Sequence, residues 1–200
     1  MPKTPETLTV TESHQILESM ICKSGNQKKA RIGIRNYLFT LFMLDAGLRV
    51  GEVSRLLVSD VVMNGEPVKS IVVRKEIAKG GRERIIPLSS RLQAAITEYQ
   101  DRLLKYIPHQ DWHFLFYTYK LEGHITARQI QRIIESASQR IIGRKIHPHI
   151  LRHTFASKLM RQVNARIVQE LLGHKNLSTT QIYMHPNGDD LAKAIEGLNQ

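Results

Sequence analysis

A single cysteine, Cys22, in 200 residues excludes an intramolecular disulfide and cannot build a cysteine-rich zinc site. It fits a reducing compartment, so a cytoplasmic location is expected. Long apolar runs are missing as well. No stretch reaches the ~18 residues that a membrane-spanning helix requires. The N-terminus lacks the hydrophobic core of a signal peptide. The longest apolar segment, residues 37–50, is interrupted by Thr40, Asp45, Gly47 and Arg49, and reads as a buried helix and its exit. Internal repeats, low-complexity tracts and a composition break that would mark a linker are absent too. Acidic residues are scarce: 18 Asp+Glu face 29 Lys+Arg, for a formal charge of +11. Such a surplus favours a polyanionic partner through counterion release, with nucleic acid ahead of a membrane surface. A merely basic soluble protein would show the same surplus, so charge alone decides little.

What is present follows a helical pattern with a β interlude. Residues 1–7 are polar and read as an arm. Thr9 with Glu12 forms a capping box opening a helix to about Cys22, and residues 24–29 read as a polar loop. Ile34, Leu38, Leu41 and Phe42 recur at helical spacing until Gly47 ends the helix. A short helix over residues 51–57 follows, placing Glu52 three residues after Arg49. Short β-branched runs at 61–63, 70–74 and 83–87 are separated by Asn64-Gly65 and Gly80-Gly81. Ser89 or Ser90 caps a helix to about Tyr106, with Leu92, Ile96 and Leu103 on one side. Residues 112–117 read as a short buried strand. Thr126 and Gln129 form a second capping box, with Ile130, Ile133, Ile134, Ala137 and Ile141 inward. Residues 145–148 lead extended into a helix bearing His149. A further helix carries Val163, Ile167 and Leu171 and ends at Gly173. One or two turns over 178–184 and an amphipathic tail over 189–198 complete the chain. The expected class is α+β, mainly α-helical with a small antiparallel β-sheet.

The chemistry-bearing residues gather at helix ends and turns. His149, Arg152 and His153 share one helical face at i, i+3 and i+4. His174 follows a helix-ending glycine, and Tyr183 comes nine residues later. Metal-free cleavage of a phosphodiester needs a nucleophile, fixed positive charge for the phosphate oxygens and an acid for the departing oxygen. Tyr183 suits the first role, because its attack leaves a phosphotyrosyl ester that can itself be attacked. Arg49 and Arg152 suit the second, since guanidinium forks match phosphate and stay charged. Lys79, at a mobile hairpin tip, suits the third. His149 and His174 can donate to the phosphate or accept the tyrosine proton.

Each residue taken singly has a plainer reading. Arg49 would be ion-paired with Glu52, Lys79 a solvated turn residue and Tyr183 half-buried core. His149 and His153 would be ordinary helix residues. A zinc site from His147, His149, His153 and His174 has little support, because a proline separates the first two and no carboxylate lies close in sequence. The joint occurrence of the set carries the argument.

Four segments, GLRVGEV (47–53), KGGRERIIPL (79–88), HPHILRHTFAS (147–157) and LLGHKNLSTTQIYMH (171–185), strongly resemble the motifs of the tyrosine recombinase, or phage integrase, family. The resemblance runs from about Leu8 to His185. It implies the family's catalytic-domain fold, with Arg49 and Arg152 as the catalytic arginine pair, Lys79 as general acid, His149 and His174 as activating residues and Tyr183 as nucleophile. Glu52 would support the first arginine, and His153 would stand behind the site. It also implies double-stranded DNA as substrate, a 3′-phosphotyrosyl link with a free 5′-hydroxyl, no cofactor, no metal and no membrane partner. Assembly would be a homotetramer on DNA from a chain that is monomeric in solution, with accessory DNA-bending proteins as helpers. The expected layout is one catalytic domain over 1–200, with an arm at 1–7, a tail helix at 188–200 and no N-terminal core-binding domain; a fragment of a longer protein is the alternative. The tail would dock on a neighbouring protomer or pack on its own domain. Rival readings are a non-catalytic DNA-binding regulator on the same scaffold and a tyrosine-type topoisomerase.

Overall fold

A computed structural model describes residues 6–21, 26–106, 109–117 and 123–173. Residues 1–5 of the expected 1–7 arm, His174, Tyr183, the turns over 178–184 and the tail helix lie outside the described residues. The first helix, α1 (Val10–Met20), opens as the sequence implies. The Thr9 hydroxyl accepts from the Glu12 N–H at 3.1 Å, and the Glu12 carboxylate accepts from the Thr9 N–H at 2.8 Å. The second, α2 (Gln27–Asp45), starts earlier than expected. Asn26 Oδ1 accepts from the Lys29 N–H at 3.2 Å, so the tail of the supposed loop is already helical.

Around α2 the domain is built. Its residues 38–44 are all buried, because neighbours cover it on several sides. It packs against α1, α4 (Ser90–Arg102), α5 (Ala127–Ile142) and α6 (Pro148–Met160). The Phe116 ring sits edge-on to Phe39, Phe42 and Tyr99, with centroids 6.0, 6.3 and 5.8 Å away. The buried Tyr99 hydroxyl donates to the Leu115 carbonyl at 2.7 Å, which satisfies the polar end of that ring.

Among the described residues the β component is divided between two two-stranded antiparallel sheets. In the first, β1 (Val62–Met63) pairs with β2 (Glu66–Pro67) through Asn64 and Gly65, both at positive φ, as a tight hairpin turn demands. In the second, β3 (Ser70–Val73) pairs with β4 (Arg84–Pro87) in a register running from Ser70↔Pro87 to Val73↔Arg84. Ile71, Val73, Arg84 and Ile86 face inward.

Several expectations are corrected. Residues 112–117 form turns rather than a strand, with single bridges from Phe114 to Leu57 and from Tyr117 to His124. Leu115 and Phe116 are buried in succession, which an alternating strand would not allow. The helix after Arg49 is only α3 (Val50–Val53), followed by a 3-10 turn at Val58–Asp60. The helix expected to reach Tyr106 ends at Arg102, and a 3-10 turn spans Leu104–Tyr106. Ile141, near the end of α5, is 39% exposed rather than inward. In α7 (Ala165–Leu172) the buried stripe is Val168 and Leu172, while Ile167 faces outward. No helix among the described residues is long and apolar enough to cross a membrane.

Candidate active site

The site begins where α2 ends. Gly47 sits at φ +61°, and a Cβ there would lie 2.3 Å from the Phe155 ring of α6, so only glycine lets the two segments touch. Arg49 then caps α3 in an extended conformation. Its N–H donates to Glu52 Oε2 at 2.8 Å, and its Nη1 donates to Oε1 at 3.1 Å. Glu52 is buried, and a second guanidinium approaches it from β4: Arg84 Nη1 and Nη2 donate to its two oxygens at 2.9 and 2.6 Å. Burial opposes ionisation of Glu52. The Arg84 hydrogen bonds and charge, the Arg49 backbone and the charge of Arg152 outweigh it, holding the carboxyl below the usual range.

The other anchor is the C-terminus of α7. The last carbonyls of a helix have no intrahelical partner and carry its negative dipole end. Here Leu171 O accepts from Arg84 Nε at 2.9 Å, and Leu172 O accepts from Arg152 Nη2 at 2.7 Å. Arg152 Nη1 also donates to Gly47 O. Gly173 closes α7 in the left-handed region at φ 64°, and a Cβ there would be 3.0 Å from Arg84 Cδ. The segment leading to His174 therefore departs from a point held by two arginines.

Lys79 follows the buried Ile77 and Ala78 and is itself exposed, on a turn closed by the Gly81 N–H donating to Ala78 O at 3.0 Å. The tip is thus anchored at its base. His149 lies in the first turn of α6. Burial, then the charges of Arg152, Lys79, Arg49 and His147, push its pKa below the ordinary histidine value. The ring is accordingly neutral near pH 7 and can accept a proton. His153, half-buried one turn on, is lowered by burial and then by His149 and Arg152. His147 turns instead toward α5, with its Nδ1 2.7 Å from Glu135 Oε1. Among the described residues no three His, Cys, Asp or Glu side chains are placed to hold a metal ion.

Arg49, Glu52, Lys79, His149 and Arg152 are thus brought into one electrostatic neighbourhood, with His153 adjacent; His174 and Tyr183 lie outside the described residues. Arg84 was missed by sequence reasoning. It falls in the 83–87 run just after Arg82 and Glu83, and its parity with the inward Ile86 marks the buried face.

Comparison with known proteins places the fold and the family. The model of the phage integrase family matches residues 6–189. Tyrosine recombinase XerA of Pyrococcus furiosus is 33% identical over 199 residues, covering 99% of this chain and 65% of that protein. The structure of XerH site-specific recombinase bound to difH substrate, a pre-cleavage complex, superposes with a TM-score of 0.74 at 26% identity, covering 96% of this chain and 54% of that one. The catalytic domain of bacteriophage HP1 integrase shares the fold, with a TM-score of 0.60 at 20% identity over 96% of this chain and 94% of that one. The chain spans somewhat under two thirds of the length of the curated relative. Its fold is that of a tyrosine recombinase catalytic domain, and the chain belongs to the phage integrase family.

Proposed function

We propose that this chain is the catalytic domain of a site-specific DNA recombinase that breaks and rejoins strands through Tyr183. The observation that carries the reading is that Arg152 donates to the Gly47 carbonyl, two residues from Arg49, while Arg49 donates to Glu52, whose carboxyl also feels the Arg152 charge. The charges of Arg152, Lys79 and Arg49 all reach His149. In the first step the Tyr183 oxygen attacks the scissile phosphorus and the bond to the 5′-oxygen breaks. The tyrosine proton passes to a neutral histidine, His149 or His174, and Lys79 protonates the departing 5′-oxygen. Arg49 and Arg152 hold the phosphate oxygens as negative charge builds on them. A 5′-hydroxyl from a partner strand then reverses the step and releases Tyr183.

Glu52 and Arg84 form the support for this cradle. A buried carboxylate fixes Arg49 by its backbone and side chain, while Arg84 donates to both oxygens of that carboxylate and holds it ionised and in place. The net charge of +11 suits a DNA partner. Assembly of four protomers on DNA, accessory DNA-bending proteins, and a cytoplasmic setting belong to the same reading, as do the flanking arm and tail helix. A binder without chemistry is less favoured, since occupying a site does not call for such a caged set of cations.

The test is incubation with a DNA site carrying a nick near the scissile phosphate, in EDTA. The native chain is expected to leave an SDS-resistant protein–DNA adduct, and Tyr183→Phe none. Equal adduct from both, or none from either, would contradict the proposal.

A further inference from the structure

Arg55 stands beyond the end of α3 and has no part in the cage around Glu52. All three of its guanidinium nitrogens nevertheless donate to backbone carbonyls: Nε to Gly51 O at 3.0 Å, Nη1 to Glu76 O at 3.1 Å and Nη2 to Ile77 O at 2.9 Å. The first acceptor adjoins Glu52 in α3. The other two lie just before Lys79. The fork therefore ties the helix that holds Arg49 to the backbone that carries Lys79. Arg74 braces the junction from the other side, donating from Nε and Nη2 to Asp60 at 2.8 and 3.0 Å and from Nη2 to Arg55 O at 3.4 Å. Ile77 and Ala78 are sunk into the core, so a single residue separates the clamped Ile77 from Lys79.

We propose that Arg55 is a positioning residue, which clamps the backbone beneath Lys79 to α3 and so sets where the Lys79 ammonium stands relative to Arg49. The inference rests on the reading of Lys79 as the proton donor. An exposed lysine on a glycine-rich turn has freedom that proton transfer does not tolerate, because the donor must be within hydrogen-bond reach of the leaving oxygen. A planar guanidinium donates from three separate nitrogens and so reaches three carbonyls on two segments at once; the donors of an ammonium all radiate from one atom and do not match that spread.

The test compares two DNA substrates, one ordinary and one whose bridging 5′-oxygen at the scissile phosphate is replaced by sulfur. A thiolate leaves without being protonated, so the sulfur substrate does not need the acid. Arg55→Ala and Arg55→Lys are expected to slow adduct formation on the oxygen substrate by roughly ten- to a hundredfold, the scale of a misplaced catalytic group. Both are expected to recover on the sulfur substrate, as Lys79→Ala does after a larger loss. Recovery also shows that the variants are folded. An equal loss on both substrates, or no loss on either, overturns the inference. If Lys79→Ala recovers and the Arg55 variants do not, the positioning role alone fails. If Lys79→Ala does not recover, its role as acid falls and the Arg55 inference with it. If the native chain forms no adduct with either substrate, the proposed function fails first.

Discussion

The two cationic parts of the site are built in opposite ways. Around Glu52 the guanidinium groups are sunk into the protein: side-chain exposure is 4% for Arg84 and 19% for Arg49, and Arg152 is buried as well. Each meets a carboxylate or a helix-end carbonyl, so its position is set before any ligand arrives. At the other part Lys79 is exposed, and only the backbone beneath it is held. The difference matches the division of labour in the proposed function. Groups that neutralise developing charge work best when preorganised, because no reorganisation is then needed during reaction. A proton donor must reach a leaving oxygen and pick up another proton, which suits an exposed side chain on an anchored base.

If this contrast holds, damage to the two parts should have different signatures. The largest stability effect is expected at Glu52. Glu52→Ala strands Arg84 and Arg49 without their carboxylate and should cost about 3–5 kcal/mol, the range for breaking a buried ion pair. Urea unfolding measures it. Lys79→Ala should lower the adduct rate by about 10²–10⁴ while shifting stability by less than about 0.5 kcal/mol, as exposed positions do. A destabilised Lys79→Ala protein would erase the distinction.

Gly173→Ala should cost about 1–2 kcal/mol for the left-handed backbone alone. Because the added Cβ presses on Arg84, it should also slow cleavage, read from the same urea and adduct assays.

The smallest effects are electrostatic. The Glu52 carboxyl is depressed in the fold, so its contribution is complete above the unfolded value of about 4.3 and is lost as pH falls through the folded one. Acid unfolding of a Glu52→Gln variant should lack that component. His149 should titrate below about 6.5, and Lys79→Ala should move it upward by removing one of the charges that depress it. Nuclear magnetic resonance titration reads both directions.

Much of the helical frame was legible because local signals agreed with burial. Thr9/Glu12 and Thr126/Gln129 close the capping boxes that their spacing implies. Asn64-Gly65 turns a hairpin, and Arg49 pairs with Glu52. The failures share a cause, since they depend on contacts that single-sequence periodicity does not carry. Residues 112–117 read as a strand, yet their backbone bonds and bridges go to residues 56–58 and 124–125 in short, irregular pieces. Arg84 gave no local signal because its partners, Glu52 and Leu171, are 32 and 87 residues away. Arg55 gave no signal either, since its acceptors are backbone carbonyls and no side-chain pattern announces them.

The most direct measurement of the central claim replaces one non-bridging oxygen of the scissile phosphate with a methyl group, which removes the charge the arginines are said to neutralise. Arg49→Ala is predicted to be inactive on ordinary DNA but to form the Tyr183 adduct on this neutral linkage, while Lys79→Ala is predicted to gain nothing from it. If Arg49→Ala stays inactive on both linkages, or Lys79→Ala gains as much as Arg49→Ala does, the division between charge cradle and proton donor is contradicted.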